Sequence, residues 1–304
     1  MSTDNKDIDI YIKEYYNDYY DNELICTMGN MLEKLNKLNI KFSDSSLSGQ
    51  KNWINAFGFI LEHLMMRGRS DKLSYNYTNI YLNMLDYNMN VEDIQNKINI
   101  LDKVLGSTKM GKLENQQKNK ITGYDLAIKL GIDGENISKS EYKYKLNEND
   151  IKMVMDLLCF QKKIFENTKN IFDYLVTLIS EHSVIETYQR LTQIDYVGDK
   201  LAAFTLRDIM FLSEKSKTIK LKPYDYLLLF PIDTRVNQKA MEILGIDEEI
   251  DPLILKIKLI NLCEEQGFIE KDRLAPLKLN AGMWYNFENN KSKIDLEQNL
   301  EGKT

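Results

Sequence analysis

Apolar residues recur at spacings of three and four along most of the chain. Trp53, Phe57, Ile60, Leu61 and Leu64 form one stripe; Ile151, Val154, Leu157, Leu158 and Ile164 form another; Ile171, Leu175 and Leu178 form a third. Residues three and four apart share a helix face, so this period predicts amphipathic helices. Sustained period-two alternation is scarce, and Thr218–Leu221 is the one modest strand candidate after residue 150. The pattern predicts an all-α fold.

Residues ahead of Ser43 are rich in Asp, Asn and Tyr, and their apolar positions fit one or two helices. A Gly/Ser break near Ser43–Gly49 precedes the Trp53 helix. Gly106–Thr122 is polar and carries Lys109, Lys112, Lys118 and Lys120. It reads as a solvated linker, with a basic DNA-facing loop as the alternative. Gly131–Asn149 is a second Gly- and charge-rich connection, and helical spacing resumes at Asp150. The four prolines all lie beyond residue 220. The expected organisation is an N-terminal helical region 1–150, a helical core 151–287 and a charged tail 288–304.

Composition narrows the class. A chain of 304 residues buries the core of one large domain or two moderate ones. Its 43% hydrophobic and 28% charged residues are those of a soluble globular protein. No apolar run approaches the ~20 residues of a membrane helix. Met1–Asp9 lacks the basic start and apolar stretch of a secretory signal, so a cytoplasmic location is expected. Cys26, Cys159 and Cys263 are far apart and odd in number, which gives no disulfide framework or cysteine metal motif. His63 and His182 are isolated, each most simply a core or surface side chain. No metal or cofactor is expected, and any catalysis falls to lysine and carboxylate. The net charge of −6 opposes a nonspecific nucleic-acid coat protein but leaves room for a local basic cleft.

The most informative stretch is 184–210. Val184, Ile185, Tyr188 and Leu191 mark one helix, and Leu201, Ala202, Phe204, Thr205 and Ile209 mark a second. Between them lies a tight turn through Ile194, Asp195, Tyr196, Val197 and Gly198. The first N–H groups of a helix lack intrahelical partners and carry the positive end of its dipole, which makes an anion site. Gly198 would let a phosphate backbone approach closely. Plain helix packing explains the same turn on its own. Lys200 stands in the first turn of the second helix. Its ammonium is electrostatically disfavoured there, and partial burial would further favour the neutral, nucleophilic amine; a surface lysine is the alternative. Asp233 stands 33 positions later at the start of another helix that ends near Gly245, in the position of an N-cap.

Together these two segments resemble the helix-hairpin-helix DNA glycosylase superfamily, which includes endonuclease III and 8-oxoguanine glycosylase. Those proteins carry a Leu-Pro-Gly-Val-Gly-x-Lys-x-Ala turn followed by Val-Asp-Thr-His/Arg-Val. Here the turn is Ile194-Asp195-Tyr196-Val197-Gly198-Asp199-Lys200-Leu201-Ala202, and the second motif is Pro231-Ile232-Asp233-Thr234-Arg235-Val236. The strong likeness covers 184–246. Asp195 and Tyr196 replace the family's proline and first turn glycine, and the cysteine cluster of endonuclease III is absent. The chain is therefore closer to the clusterless 8-oxoguanine branch.

The resemblance implies two helical lobes with the DNA-binding hairpin at their cleft. It also implies a bifunctional glycosylase/AP lyase acting as a monomer on double-stranded DNA that holds a damaged base. The catalytic lysine falls on Lys200 and the catalytic aspartate on Asp233. Tyr196, Val197, Gly198 and Arg235 fall at the DNA backbone, with a solvated helix-surface arginine as the alternative for Arg235. Trp284, Tyr285 and Trp53 are weaker candidates for a base pocket, each with core packing as the alternative. Arg207 and Asp208 form a structural ion pair or reach DNA. Two other readings stay open: a non-catalytic helix-hairpin-helix binding or scaffold protein, and a glycosylase for alkylated bases. The lysine opposes the latter, which has no need of an amine nucleophile.

Overall fold

The computed structural model describes residues 5–27, 47–66, 71–86, 88–113, 147–165, 170–213 and 219–286, with Thr122, Asp125, Leu126 and Ile128. The chain opens with α1 (Asn5–Ile10), a π-helical stretch Tyr11–Tyr15, α2 (Tyr16–Asp18) and a second π-helical stretch Tyr19–Thr27. Then follow α3 (Trp53–Met65), α4 (Asp71–Asn83), α5 (Val91–Leu113), α6 (Glu148–Phe165), α7 (Ile171–Glu181), α8 (Val184–Thr192) and α9 (Asp199–Leu212). The last elements are α10 (Pro223–Leu229), α11 (Thr234–Leu244), α12 (Pro252–Glu265), α13 (Phe268–Lys271) and α14, residues 275–286. No extended strand occurs among the described residues, and the fold is all-α. The strand expected at Thr218–Leu221 is absent over residues 219–221, which run as an irregular lead into α10. Pro223 opens that helix at a position where its missing N–H costs nothing.

The described chain forms two compact units. One comprises residues 5–27, 206–208 and 219–286; the other comprises residues 47–205 and 209–213. Residue 150 lies inside the second unit, with described residues of that unit on both sides of it. A boundary read from composition follows polar connections, whereas the units follow packing between distant segments.

The second unit is built around α3. All of its residues are buried, the polar Asn55, Glu62 and His63 among them, so this helix forms a central rod. It packs against α4, α6 and α7. Trp53 meets Phe57 and Phe165 edge-on at centroid distances of 6.3 and 5.2 Å, and Phe59 meets Phe172 at 6.0 Å. Each such pair adds about 0.5–1.5 kcal/mol beyond its buried area. His63 lies between the rings of Phe59 and Phe204 with Nδ1 2.8 Å from the Phe59 carbonyl, and is a core histidine. His182 is exposed beside Glu186. Asn170 caps α7 by accepting from the Asp173 N–H at 2.9 Å. Its Nδ2 donates to the carbonyls of Leu47 and Gly49 at 2.7 and 2.8 Å. The Gly/Ser break expected near Gly49 is thus tied down from within, and Gly49 adopts φ +86°. The polar stretch Gly106–Thr122 differs from expectation in its first half: α5 continues through Leu113. Residues 114–121 and 131–146, with Lys118 and Lys120, and the tail 288–304 lie outside the described residues.

The first unit joins the start of the chain to its end. Ile8, Ile12, Tyr16 and Tyr19 form the buried stripe of the N-terminal segment. Gly282 of α14 lies so close to the Tyr11 backbone that any Cβ there would collide with the Tyr11 carbonyl oxygen. In the same unit α12 packs against α10, α11 and α13. Asp251 caps α12 ahead of Pro252. Gly245 ends α11 in the left-handed conformation, as expected from sequence. No helix among the described residues is long and apolar enough to cross a membrane.

Candidate functional site

The turn between α8 and α9 occupies residues 193–198. Ser183 starts α8 by accepting from the Glu186 N–H at 3.1 Å. Ile194 and Val197 are buried, and the Val197 N–H donates to the Ile194 carbonyl at 3.0 Å, closing the turn on its apolar side. Tyr196, between them and Gly198, is 39% exposed and takes φ +67°. Tyr196 is the one non-glycine residue at positive φ among those described. An L-residue is held in that region at a cost of about 1–2 kcal/mol. Gly198 is extended, with φ −91° and ψ 179°, and a Cβ there would meet nothing within 4 Å. The left-handed position of the turn is thus Tyr196, where the resembling family carries its first turn glycine, and not Gly198. The space in front of Gly198 is open, so that an approaching group meets backbone there.

Lys200 is the second residue of α9 and is exposed. The partial burial considered from sequence does not occur. Lys152 of α6, not singled out from sequence, lies against the turn: its Nζ donates to the Tyr196 hydroxyl at 3.3 Å and stands 5.7 Å from the ring centroid. The bond to the phenol holds the Lys152 ammonium above its usual range. The Asp195 N–H donates to Asp156 Oδ2 at 3.0 Å. Burial, and then a hydrogen bond with the Asp199 carboxylate, push the Tyr188 phenol up, which ties α8 to the first turn of α9. The turn thus shows two exposed acids, Asp195 and Asp199, beside the half-buried cation Lys152 and the exposed Lys200. Beside it opens a cleft of about 410 Å³ bounded by Phe160, Lys163, Tyr174, Arg190, Gln193 and Ile194.

Asp233 belongs to the other unit. It caps α11, Oδ1 accepting from the Val236 N–H at 3.0 Å. That bond satisfies one orphan donor of the helix and fixes the carboxylate's direction. Arg235, one residue into the same turn, places its guanidinium 5.4 Å from the centroid of the Trp284 ring. Trp284 is 9% exposed and also meets Tyr19 edge-on at 5.9 Å. Tyr285 is equally buried, and its hydroxyl accepts from Asn22 at 3.3 Å. With Arg235 over one face and Tyr19 at its edge, the indole is committed to packing within its unit. Trp53 is 1% exposed in the core of the second unit, where no base reaches without opening that core.

Arg207 and Asp208 form the structural ion pair and are fully buried in the first unit. Arg207 Nε donates to Asp208 Oδ1 at 2.8 Å, Nη1 to Asn280 Oδ1 at 2.7 Å and Nη2 to the Tyr19 hydroxyl at 2.7 Å. Tyr19 in turn donates to Asp208 Oδ2 at 2.5 Å. Burial, opposed by the arginine, pushes the Tyr19 phenol well up. Burial opposes the Arg207 charge, but Asp208 and Tyr19 outweigh it and hold the guanidinium up. Asn280 Nδ2 donates to the Pro231 carbonyl at 2.8 Å, two residues before Asp233. Sequence reading did not find Asn280; its one signal is a polar residue on the buried side of an apolar helix.

Among the described residues no three His, Cys, Asp or Glu side chains gather as a metal site would require. Comparison with protein-family models, with curated proteins and with solved structures finds no match for this chain.

Proposed function

We propose that the protein is a bifunctional DNA glycosylase/AP lyase that removes an oxidised purine such as 8-oxoguanine. The observation that carries this reading is the turn itself. The motif's first glycine position is occupied by Tyr196, yet the backbone there is left-handed, as that glycine would allow, and Lys200 follows in the first turn of α9. Retention of the backbone after loss of the residue that makes it easy is a cost, and such costs concentrate at working sites.

In this reading the duplex backbone meets the open space before Gly198 and the cation Lys152, while the damaged nucleotide leaves the stack. The exposed Lys200 amine, as the neutral base, attacks the sugar C1′. The C1′–N bond breaks, and the base leaves with the bonding pair and is protonated. Loss of a proton from Nζ and opening of the sugar ring give the Schiff base. Removal of a C2′ proton then expels the 3′ phosphate. Asp233, directed by its cap bond, stabilises the positive charge that develops on the sugar.

Asp195 and Asp199 favour a second reading, since two exposed acids oppose a phosphate: a helix-hairpin-helix binding or scaffold protein without catalysis. Borohydride trapping on duplex containing 8-oxoguanine or an abasic site separates them. The enzyme reading expects a covalent adduct that Lys200→Gln abolishes. Absence of adduct with every oxidised base and with abasic DNA leaves the binding module.

A further inference from the structure

Asn280 and Trp284 sit one turn apart on α14 and so share a helix face. They hold residues on either side of Asp233: Asn280 the Pro231 carbonyl, and Trp284 the Arg235 guanidinium. Asn280 is fully buried, and its amide orientation is fixed twice, as acceptor from Arg207 and as donor to Pro231. Rotating the amide would set donor against donor. A buried amide is costly unless fully bonded, and leucine would pack the same volume without that demand. We infer that Asn280 and Trp284 are positioning residues that clamp the Pro231–Arg235 segment and thereby set where the Asp233 carboxylate points. Arg207, Asp208 and Tyr19 hold the Asn280 amide from behind. The cap bond to Val236 fixes the carboxylate relative to α11, and the clamp fixes the start of α11 relative to α14.

This inference rests on the glycosylase reading, and its test keeps the two apart. Asn280→Asp retains the acceptor for Arg207 and removes the donor to Pro231. On a duplex with 8-oxoguanine, single-turnover base excision by the full chain is expected to fall about tenfold or more, because small misplacements of a charge-stabilising group are costly. On a duplex with a preformed abasic site the base has already left, and the charge that Asp233 answers does not develop. Borohydride trapping there is expected to fall less than about twofold, with duplex affinity unchanged. If Asn280→Asp loses its folded circular dichroism, Trp284→Leu and Trp284→Phe carry the test: leucine reproduces the split and phenylalanine, which restores a ring under Arg235, rescues excision. Unchanged excision, or equal losses in excision and trapping, overturns the clamp alone. A wild-type chain that neither excises nor traps overturns the glycosylase reading and the clamp with it.

Discussion

Replacing Tyr196 by glycine and by alanine gives different stabilities for a reason confined to one dihedral angle. At φ +67° the tyrosine is held against a penalty of about 1–2 kcal/mol that glycine does not feel and alanine does. Both variants lose the same outside contacts, the hydrogen bond and ring contact with Lys152, both at the exposed surface. The two losses cancel in the comparison. Glycine has the more flexible unfolded chain, which lowers its advantage by about 0.5–1 kcal/mol. At the centre of those ranges the difference left is about 0.8 kcal/mol in favour of Tyr196→Gly. At an ordinary helical or extended position the order reverses, alanine leading by a similar amount. Urea unfolding of the full chain followed by circular dichroism measures it: with a slope near 3 kcal/mol/M, the glycine midpoint lies about 0.2–0.3 M above the alanine midpoint. Equal midpoints, or alanine the higher, refute the left-handed turn and remove the observation on which the proposed function stands.

Other outcomes follow from single features. Gly282→Ala drives a methyl group into the Tyr11 carbonyl, and is expected to destabilise by about 1–3 kcal/mol and to speed amide exchange across residues 5–27. Asn170→Ala removes the α7 cap and the donor to the Leu47 carbonyl, while the Gly49 carbonyl keeps the Asn52 N–H; a loss of about 2–3 kcal/mol in urea unfolding is expected, with near-wild-type stability counting against the network. Cys263, buried, has its thiol raised from 9.0 to about 12. A raised acid contributes stability that is full below pH 9 and is lost as pH rises towards 12, at up to about 1.4 kcal/mol per pH unit. Cys263→Ala is therefore expected to flatten the fall in unfolding midpoint between pH 9 and 11, and an unchanged slope refutes the assignment.

The helices were legible wherever one stripe of apolar residues faces one core. The Trp53, Ile151 and Ile171 stripes each correspond to a helix, and Asp233 stands at the cap its sequence context predicts. Arg207 and Asp208 were ambiguous because a charge pair on a helix ordinarily faces solvent, and only distant partners, Tyr19 and Asn280, make burial tolerable. No local pattern announces a partner nearly two hundred residues away. The same limit keeps the grouping of segments into the two units out of reach of composition. Tyr196 was legible as a departure from the family's glycine but not as a left-handed residue, since propensity argues against that conformation for a tyrosine.

The first unit draws its N-terminal helix and its closing helix from opposite ends of the described chain. Residues 5–27 are synthesised long before Gly282 and Asn280 of α14, against which they pack. During translation, Ile8, Ile12, Tyr16 and Tyr19 wait with their apolar stripe uncovered while the second unit's helices gather around α3. The contact between residues 5–27 and α14 spans a long stretch of sequence, and contacts of such separation are slow to form.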